Sequence, residues 1–290
     1  MTDLLRPAQR ALGHALRSRV AGPEAEQKNA VIWGTPGPRW FTAADPVWQV
    51  HGDASMFAGG VTALLLQSLH PQAMAGVAGH SGFKSDPWGR LQRTSHYIAV
   101  TTYATIDDAT AMIERVRSVH ERVRGKDHRG RPYRASDPRL LLWVHAAEID
   151  SFLRAYRAYG AAGIDDADAD RYVAQTAVPA RLLGVVDPPE SVADLTDVLA
   201  SFQGELEPCP AAVDAAAFLL RDPPLSPWAR PGYWTLAAGG VALLPDWARQ
   251  ALRLRVPGDA VLRPVGRFGT AAVRWGLAGV ENRRSAPVPT

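Results

Sequence analysis

His120 stands in the stretch VRSVHERVRG, residues 116–125, which holds three arginines and three valines. Around it Met112, Ile113, Val116, Val119 and Val123 recur at spacings of three and four, the mark of one apolar face on a helix. His120 falls on that stripe, one turn after Val116, whereas Glu114, Arg117, Glu121 and Arg124 point elsewhere. Burying an imidazole without a partner is costly, so a core-facing histidine must hydrogen-bond or coordinate something. Spacing leaves both outcomes open: a bond to a backbone carbonyl, or a metal ion.

The preceding segment, DPWGRLQRTSHYIAVTTYA, adds a second set of reactive types. Arg90, Thr94, Tyr97 and Thr101 share one helical face, and Arg93 lies beside it. Such a row is either plain surface or the wall of a pocket for carboxylates or an oxygen species. About 27 residues separate Arg93 from His120, enough for two antiparallel helices to hold them on opposite sides of a flat cofactor.

Two further histidines have apolar neighbours. His145, in LLLWVHAAEID, has Glu148 three residues on. A His-x-x-Glu face binds metal together with a second such pair, but no second pair and no HExxH is present, which leaves a non-haem di-iron site weakly supported and a structural hydrogen bond the simpler role. His70 precedes Pro71 at a helix break, and His14, His51, His80, His96 and His128 read as loop or surface residues without a role. Nucleophilic catalysis has little to stand on: there is no G-x-S-x-G, and Cys209 lies between prolines with no histidine near it in sequence.

The elements that would position these residues are helical almost throughout. Helices are expected at about 54–69 and, after Pro71, over QAMAGVAGH. Asp86 caps a helix with Pro87 in its first turn. Thr105 and Asp108 open the helix carrying His120, and Gly125 is expected to stop it. Asp137-Pro138 begins a long helix to about Tyr159, with Leu141, His145, Phe152, Tyr156 and Tyr159 along one face. Further helices are expected at about 168–184, 190–203, 210–221, 229–243, 246–254 and 259–279; KDHRGRPYRAS is a polar linker, and VIWG near residue 31 is the only plausible strand. With no phosphate loop, no internal repeat and no long linker, the chain reads as one all-α domain with mobile ends.

Composition sets outer limits. The 290 residues are 47% hydrophobic and 21% charged, long enough for a substantial core. Net charge is +3, and lysine occurs only at Lys28, Lys84 and Lys126. No basic block alternates with aromatics, so nucleic acid is not the expected partner. The single cysteine rules out internal disulfides, cysteine-ligated zinc and iron–sulfur clusters. The first 22 residues are basic and amphipathic, with Leu4, Leu5, Ala8, Leu12 and Leu16 helically spaced, and lack the apolar core of a signal peptide. A cytoplasmic location is therefore expected, with the N-terminal helix an ordinary surface element or a peripheral membrane contact. Trp143, Trp234 and Trp247 are expected to pack in the core rather than line a pocket.

Taken in order, LLLQSLHPQAMAGVAGHSGFKSDPWGRLQRTSHYIAVTTYAT, VRSVHERVRG, GRPYRASDPRLLLWVHAAEIDSFLRAY, DRYVAQTAVPARLLGVV and LLPDWARQALRL resemble the MpaB-like oxygenase superfamily, which includes the latex clearing protein, a rubber oxygenase. The resemblance covers about residues 40–255. It implies a helical, globin-like core that binds one b-type haem through a histidine, and an oxygenase acting with dioxygen on an apolar organic substrate. The proximal histidine of the family matches His120, with Val116, Val119 and Val123 expected against the porphyrin. The family's distal R-x-x-K-T matches Arg90, Arg93 and Thr94, with arginine in place of lysine. A guanidinium has no free lone pair, so Arg93 should not bind iron but donate hydrogen bonds. Tyr97, His145 and His70 are expected to shape the haem pocket. The alternatives on the same scaffold are a globin-like haem protein that binds gas or relays electrons, and a small-molecule binder without cofactor.

Overall fold

The computed structural model describes residues 2–80, 82 and 84–280. Among them the chain forms fourteen helices and one two-stranded hairpin. In order these are α1 (Thr2–Ala21), α2 (Ala25–Gly34), α3 (Pro46–Gly52), α4 (Met56–Gln67), α5 (Pro71–His80), α6 (Pro87–Tyr103) and α7 (Ile106–Arg122). The hairpin strands β1 (Arg124–Lys126) and β2 (Pro132–Arg134) follow, then α8 (Pro138–Tyr159), α9 (Asp166–Leu183), α10 (Val192–Ser201), α11 (Pro210–Leu220), α12 (Arg230–Leu243), α13 (Asp246–Ala251) and α14 (Asp259–Ala278). The all-α expectation holds.

Helix starts follow local chemistry. The Asp86 carboxylate accepts from the Gly89 amide at 2.9 Å, with Pro87 at the first helical position. Thr105 Oγ1 accepts from the Asp108 amide and donates to the Asp108 carboxylate. Asp137 and Asp165 cap α8 and α9 in the same way. Each such cap stabilises its helix by about 1 kcal/mol.

Helix α8 is the axis of the fold. One side of it, with Ala146, Ile149, Phe152 and Tyr156, joins Val47, Trp48, Tyr103, Tyr172 and Leu195 in one apolar cluster. The other side, with Trp143 and Ala147, joins Leu65, Leu69, Phe202, Ala212 and Val241 in a second. Burying each large side chain contributes about 2–3 kcal/mol, so a helix apolar on both sides is fixed from both. His145, Glu148 and Asp150 interrupt this otherwise buried helix. Asp150 is accounted for by Arg154 at 2.7 Å.

The C-terminal helix docks on α12 through glycine: a Cβ on Gly266 would stand 2.3 Å from the Gly239 Cα. It is also pinned by Arg274, whose Nη2 reaches the Asp53 carboxylate at 2.9 Å. Burial alone would raise the Asp53 carboxyl, but the hydrogen bonds from Arg274 and Ser55 hold it below the usual range. Helix α1 lies against α14, with Leu12 on Gly276 and Gln9 Nε2 donating to the Trp275 carbonyl at 2.8 Å. Of the apolar stripe of the N-terminal helix, Leu12 and Leu16 are thus half-buried in the fold, whereas Leu5 and Ala8 are exposed.

Four local expectations need correction. VIWG is not a strand but the end of α2, because Ile32 and Trp33 pack into the first core cluster. Helix α7 ends at Arg122 rather than at Gly125; Gly125 instead pairs with Tyr133 across the hairpin. The linker KDHRGRPYRAS accordingly contains a turn and strand β2, held by Asp127 accepting from Arg129 and Arg131 amides. Trp143 is a core residue, with Nε1 donating to the Gln67 carbonyl at 3.2 Å, but Trp234 and Trp247 are exposed.

Candidate functional site

A cavity of about 1190 Å³ opens between α1, α4, α6, α8, α12 and α14. Most of its wall is apolar, with Phe57, Leu64, Ile98, Phe152 and Leu236 among the contributors. Its polar groups include Gln67 from α4, Arg90 and Thr94 from α6, Glu148 from α8 and His51 from α3. Of the distal residues expected from sequence, Arg90 and Thr94 reach this cavity.

Arg90 and Glu148 set its electrostatics. The Arg90 guanidinium makes no side-chain hydrogen bond or ion pair among the described residues, and burial lowers its proton affinity. Burial likewise pushes the Glu148 carboxyl up to about 7, against the opposing effects of a hydrogen bond from Gln67 and the charge of Arg90. A carboxyl that changes charge near neutrality, on the wall of an apolar cavity, is equipped to take or give a proton. Gln67 is held in turn, since its Nε2 donates to the Val144 carbonyl at 3.0 Å. Tyr97 does not line this cavity; its hydroxyl is pushed up by burial and then by the charge of Glu148.

Arg93 is placed differently from expectation. Its side chain is 63% exposed and Nη1 donates to Asp86 at 3.1 Å, so it supports the start of its own helix and does not line the cavity. Val119 is also a correction: it is 44% exposed, because adjacent residues are turned by about 100° around a helix. Val116 and Val123 are half-buried, and Val123 lies just past the helix, accepting from the Ala135 amide at 2.9 Å.

The buried histidines divide into two kinds. His51, expected to be a surface residue, is enclosed: one ring nitrogen meets Thr102 Oγ1 at 2.9 Å and the other the Tyr172 hydroxyl at 3.3 Å. Burial holds its ring neutral, lowering it to about 3. His70 is engaged by the protein on both nitrogens, by Glu205 at 3.4 Å and by the Ala73 amide at 3.5 Å. Both nitrogens being engaged, His70 braces the start of α5. His96, also expected at the surface, lines the cavity.

His120 Nδ1 and His145 Nε2, by contrast, are buried with no hydrogen-bond partner among the described residues. Burial lowers both rings, His145 to about 4, so both are neutral at physiological pH. Neither lines the 1190 Å³ cavity, so His120 and the Arg90–Thr94 wall are not brought into that one space. Among the described residues no group of three or more His, Cys, Asp or Glu side chains is arranged to hold a metal ion. The di-iron alternative therefore gains no support. A haem needs only one protein nitrogen, and a neutral imidazole with an unclaimed buried nitrogen is a suitable donor. In donor chemistry His120 fits that group.

Fold and site together define a helical protein with a large apolar chamber, a buried carboxyl on its wall and two imidazoles each with a buried nitrogen unpartnered among the described residues. Residues 48–275 match the family model described as ER-bound oxygenase mpaB/B'/Rubber oxygenase, catalytic domain. The chain belongs to this family of oxygenase catalytic domains. No curated protein and no solved structure matches it. Among the described residues no helix is long and apolar enough to cross a membrane.

Proposed function

We propose that the protein is a haem-b-dependent oxygenase, with a globin-like haem-binding core, that acts with dioxygen on an apolar organic substrate. The observation that carries the haem reading is the buried, unpartnered His120 Nδ1 within a chain of the oxygenase family. His120 is the residue that would hold the iron, with Val116 and Val123 beside it.

Bound haem supplies the iron centre at which dioxygen is activated. The chain supplies the surroundings. Neutrality of His120, enforced by burial, leaves a lone pair available at neutral pH. Apolar walls from Phe57, Leu64, Phe152 and Leu236 exclude water and accept a hydrocarbon body. Arg90, which makes no hydrogen bond or ion pair among the described residues, can donate hydrogen bonds to an anionic group, and Thr94 adds a hydroxyl on the same wall. Gln67 orients Glu148, which holds a proton below about pH 7 and releases it above.

Oxygen uptake by the reduced, haem-loaded protein, measured across a panel of apolar alkenes, tests the activity. Substrate-dependent uptake is expected, reduced at least tenfold in Arg90→Ala. Uptake indifferent to every alkene would count against an oxygenase and in favour of a gas-binding or electron-carrying haem protein.

A further inference from the structure

Helix α14 buries one face and leaves an apolar ridge on the other. Leu262, Gly266, Gly269, Thr270, Val273 and Gly276 face the protein. Val261, Phe268 and Trp275 are exposed by 54, 70 and 40%. Their spacing of seven residues is close to two helical turns, which aligns them along the solvent side. Pro264 and Ala271 are exposed between them, so no charged residue interrupts the ridge. On the neighbouring helix α12, Trp234 is exposed too. Solvent-facing Phe and Trp in a row are a poor solution for a helix that has water as its only neighbour.

Charge identifies the partner. Helices α1 and α14 lie side by side and, leaving aside Arg274, whose charge Asp53 meets, carry six arginines against two aspartates. Arg263 and Arg267 form one shoulder of the ridge, and both are exposed. The one acid of α14, Asp259, is already engaged by Arg249 and Arg263. A second copy of the chain would set like charges against each other at this face. An anionic surface would be attracted to it.

The ridge also adjoins the chamber. Leu16 and Val20 of α1, with Leu277 and Ala278 of α14, line the cavity, so the seam between these helices is part of its wall. Indole and phenyl side chains settle at the boundary between headgroups and acyl chains, and arginines pair with lipid phosphates.

We propose that the exposed face of α14, flanked by the arginines of α1 and α14, docks on the surface of an anionic phospholipid bilayer without crossing it. The basic N-terminal helix then contributes charge rather than the principal apolar contact. The cavity wall formed by α1 and α14 would face the lipid, from which an apolar substrate can be drawn.

The test is co-sedimentation of the full chain with phosphatidylcholine vesicles with and without phosphatidylglycerol. Binding to the anionic vesicles is expected, weaker at high salt. Phe268→Ser combined with Trp275→Ser should lower it at least tenfold with the circular dichroism spectrum unchanged. Arg263→Glu combined with Arg267→Glu should also weaken it, which keeps the test decisive if the first variant misfolds. Absence of wild-type binding to anionic vesicles, or undiminished binding by both variants, would overturn the proposal. So would a wild-type dimer in light scattering that the Phe268/Trp275 substitutions dissociate, since that would assign the face to a second copy.

Discussion

His51 and His70 are buried like His120 and His145, yet the two pairs live in opposite conditions. The first pair is fully engaged by the protein: Thr102 and Tyr172 hold one ring, Glu205 and the Ala73 amide the other. The second pair keeps a buried nitrogen that nothing in the described chain satisfies. A satisfied buried histidine is a structural part, whereas an unsatisfied one costs stability that some other gain must offset. Burial alone does not mark a ligand. The proposed haem reading rests on the unclaimed nitrogen instead.

The largest effect on stability is expected from His51→Ala. It removes a buried ring and strands the Tyr172 hydroxyl and Thr102, so unfolding free energy should fall by about 4 kcal/mol in denaturant titration. A loss below about 1 kcal/mol would break the contrast between the two pairs.

Next comes the pH dependence set by Glu148. Its folded pKa, about 7, lies above the ordinary 4.5, so the native state binds more protons between these values and stability falls as pH rises through that window. Glu148→Gln should abolish this decline, a gain of up to about 3 kcal/mol at pH 8. The histidines act with the opposite sign. His51 and His145 are lowered to about 3 and about 4, so the unfolded chain binds more protons below pH 6.5 and stability is lost as pH falls from there. Melting curves from pH 4 to 8 for the wild type and Glu148→Gln distinguish the two contributions.

Thr105→Ala removes the cap of the helix that carries His120 and should cost about 1 kcal/mol. Haem content should stay within twofold of wild type, because the ligand itself is untouched. The smallest change is expected for His145→Leu in the haem-free protein: less than about 1 kcal/mol in either direction, since it removes an unsatisfied nitrogen and keeps the volume. A loss as large as that of His51→Ala would show that His145 has a partner after all.

Much of the architecture was legible because its signals were local. Asp86-Pro87, Thr105 with Asp108, and Asp137-Pro138 mark helix starts through side-chain chemistry that needs no tertiary context. VIWG misled because Ile32 and Trp33 suit either period, and contact with the core decided between them. Gly125 has the look of a helix stop, yet pairing with Tyr133 across the hairpin recruits it to a strand. The site divided the same way. Arg90 and Thr94 were visible as a helical face, and periodicity pointed His120 inward. His51 was missed because WQVHGD has the polar, glycine-containing end of a surface helix, and its partners Thr102 and Tyr172 come from far along the chain. Glu148 was noticed as a neighbour of His145, but its proton chemistry arises from burial beside Arg90 and Gln67.

Titration of haem into the purified apoprotein, followed through the Soret band, tests the role of His120 most directly. Wild-type protein is expected to bind one haem per chain, and His120→Ala to bind at least tenfold more weakly while His70→Ala binds as wild type does. Undiminished haem affinity in a folded His120→Ala variant would contradict the assignment and pass the role to His145.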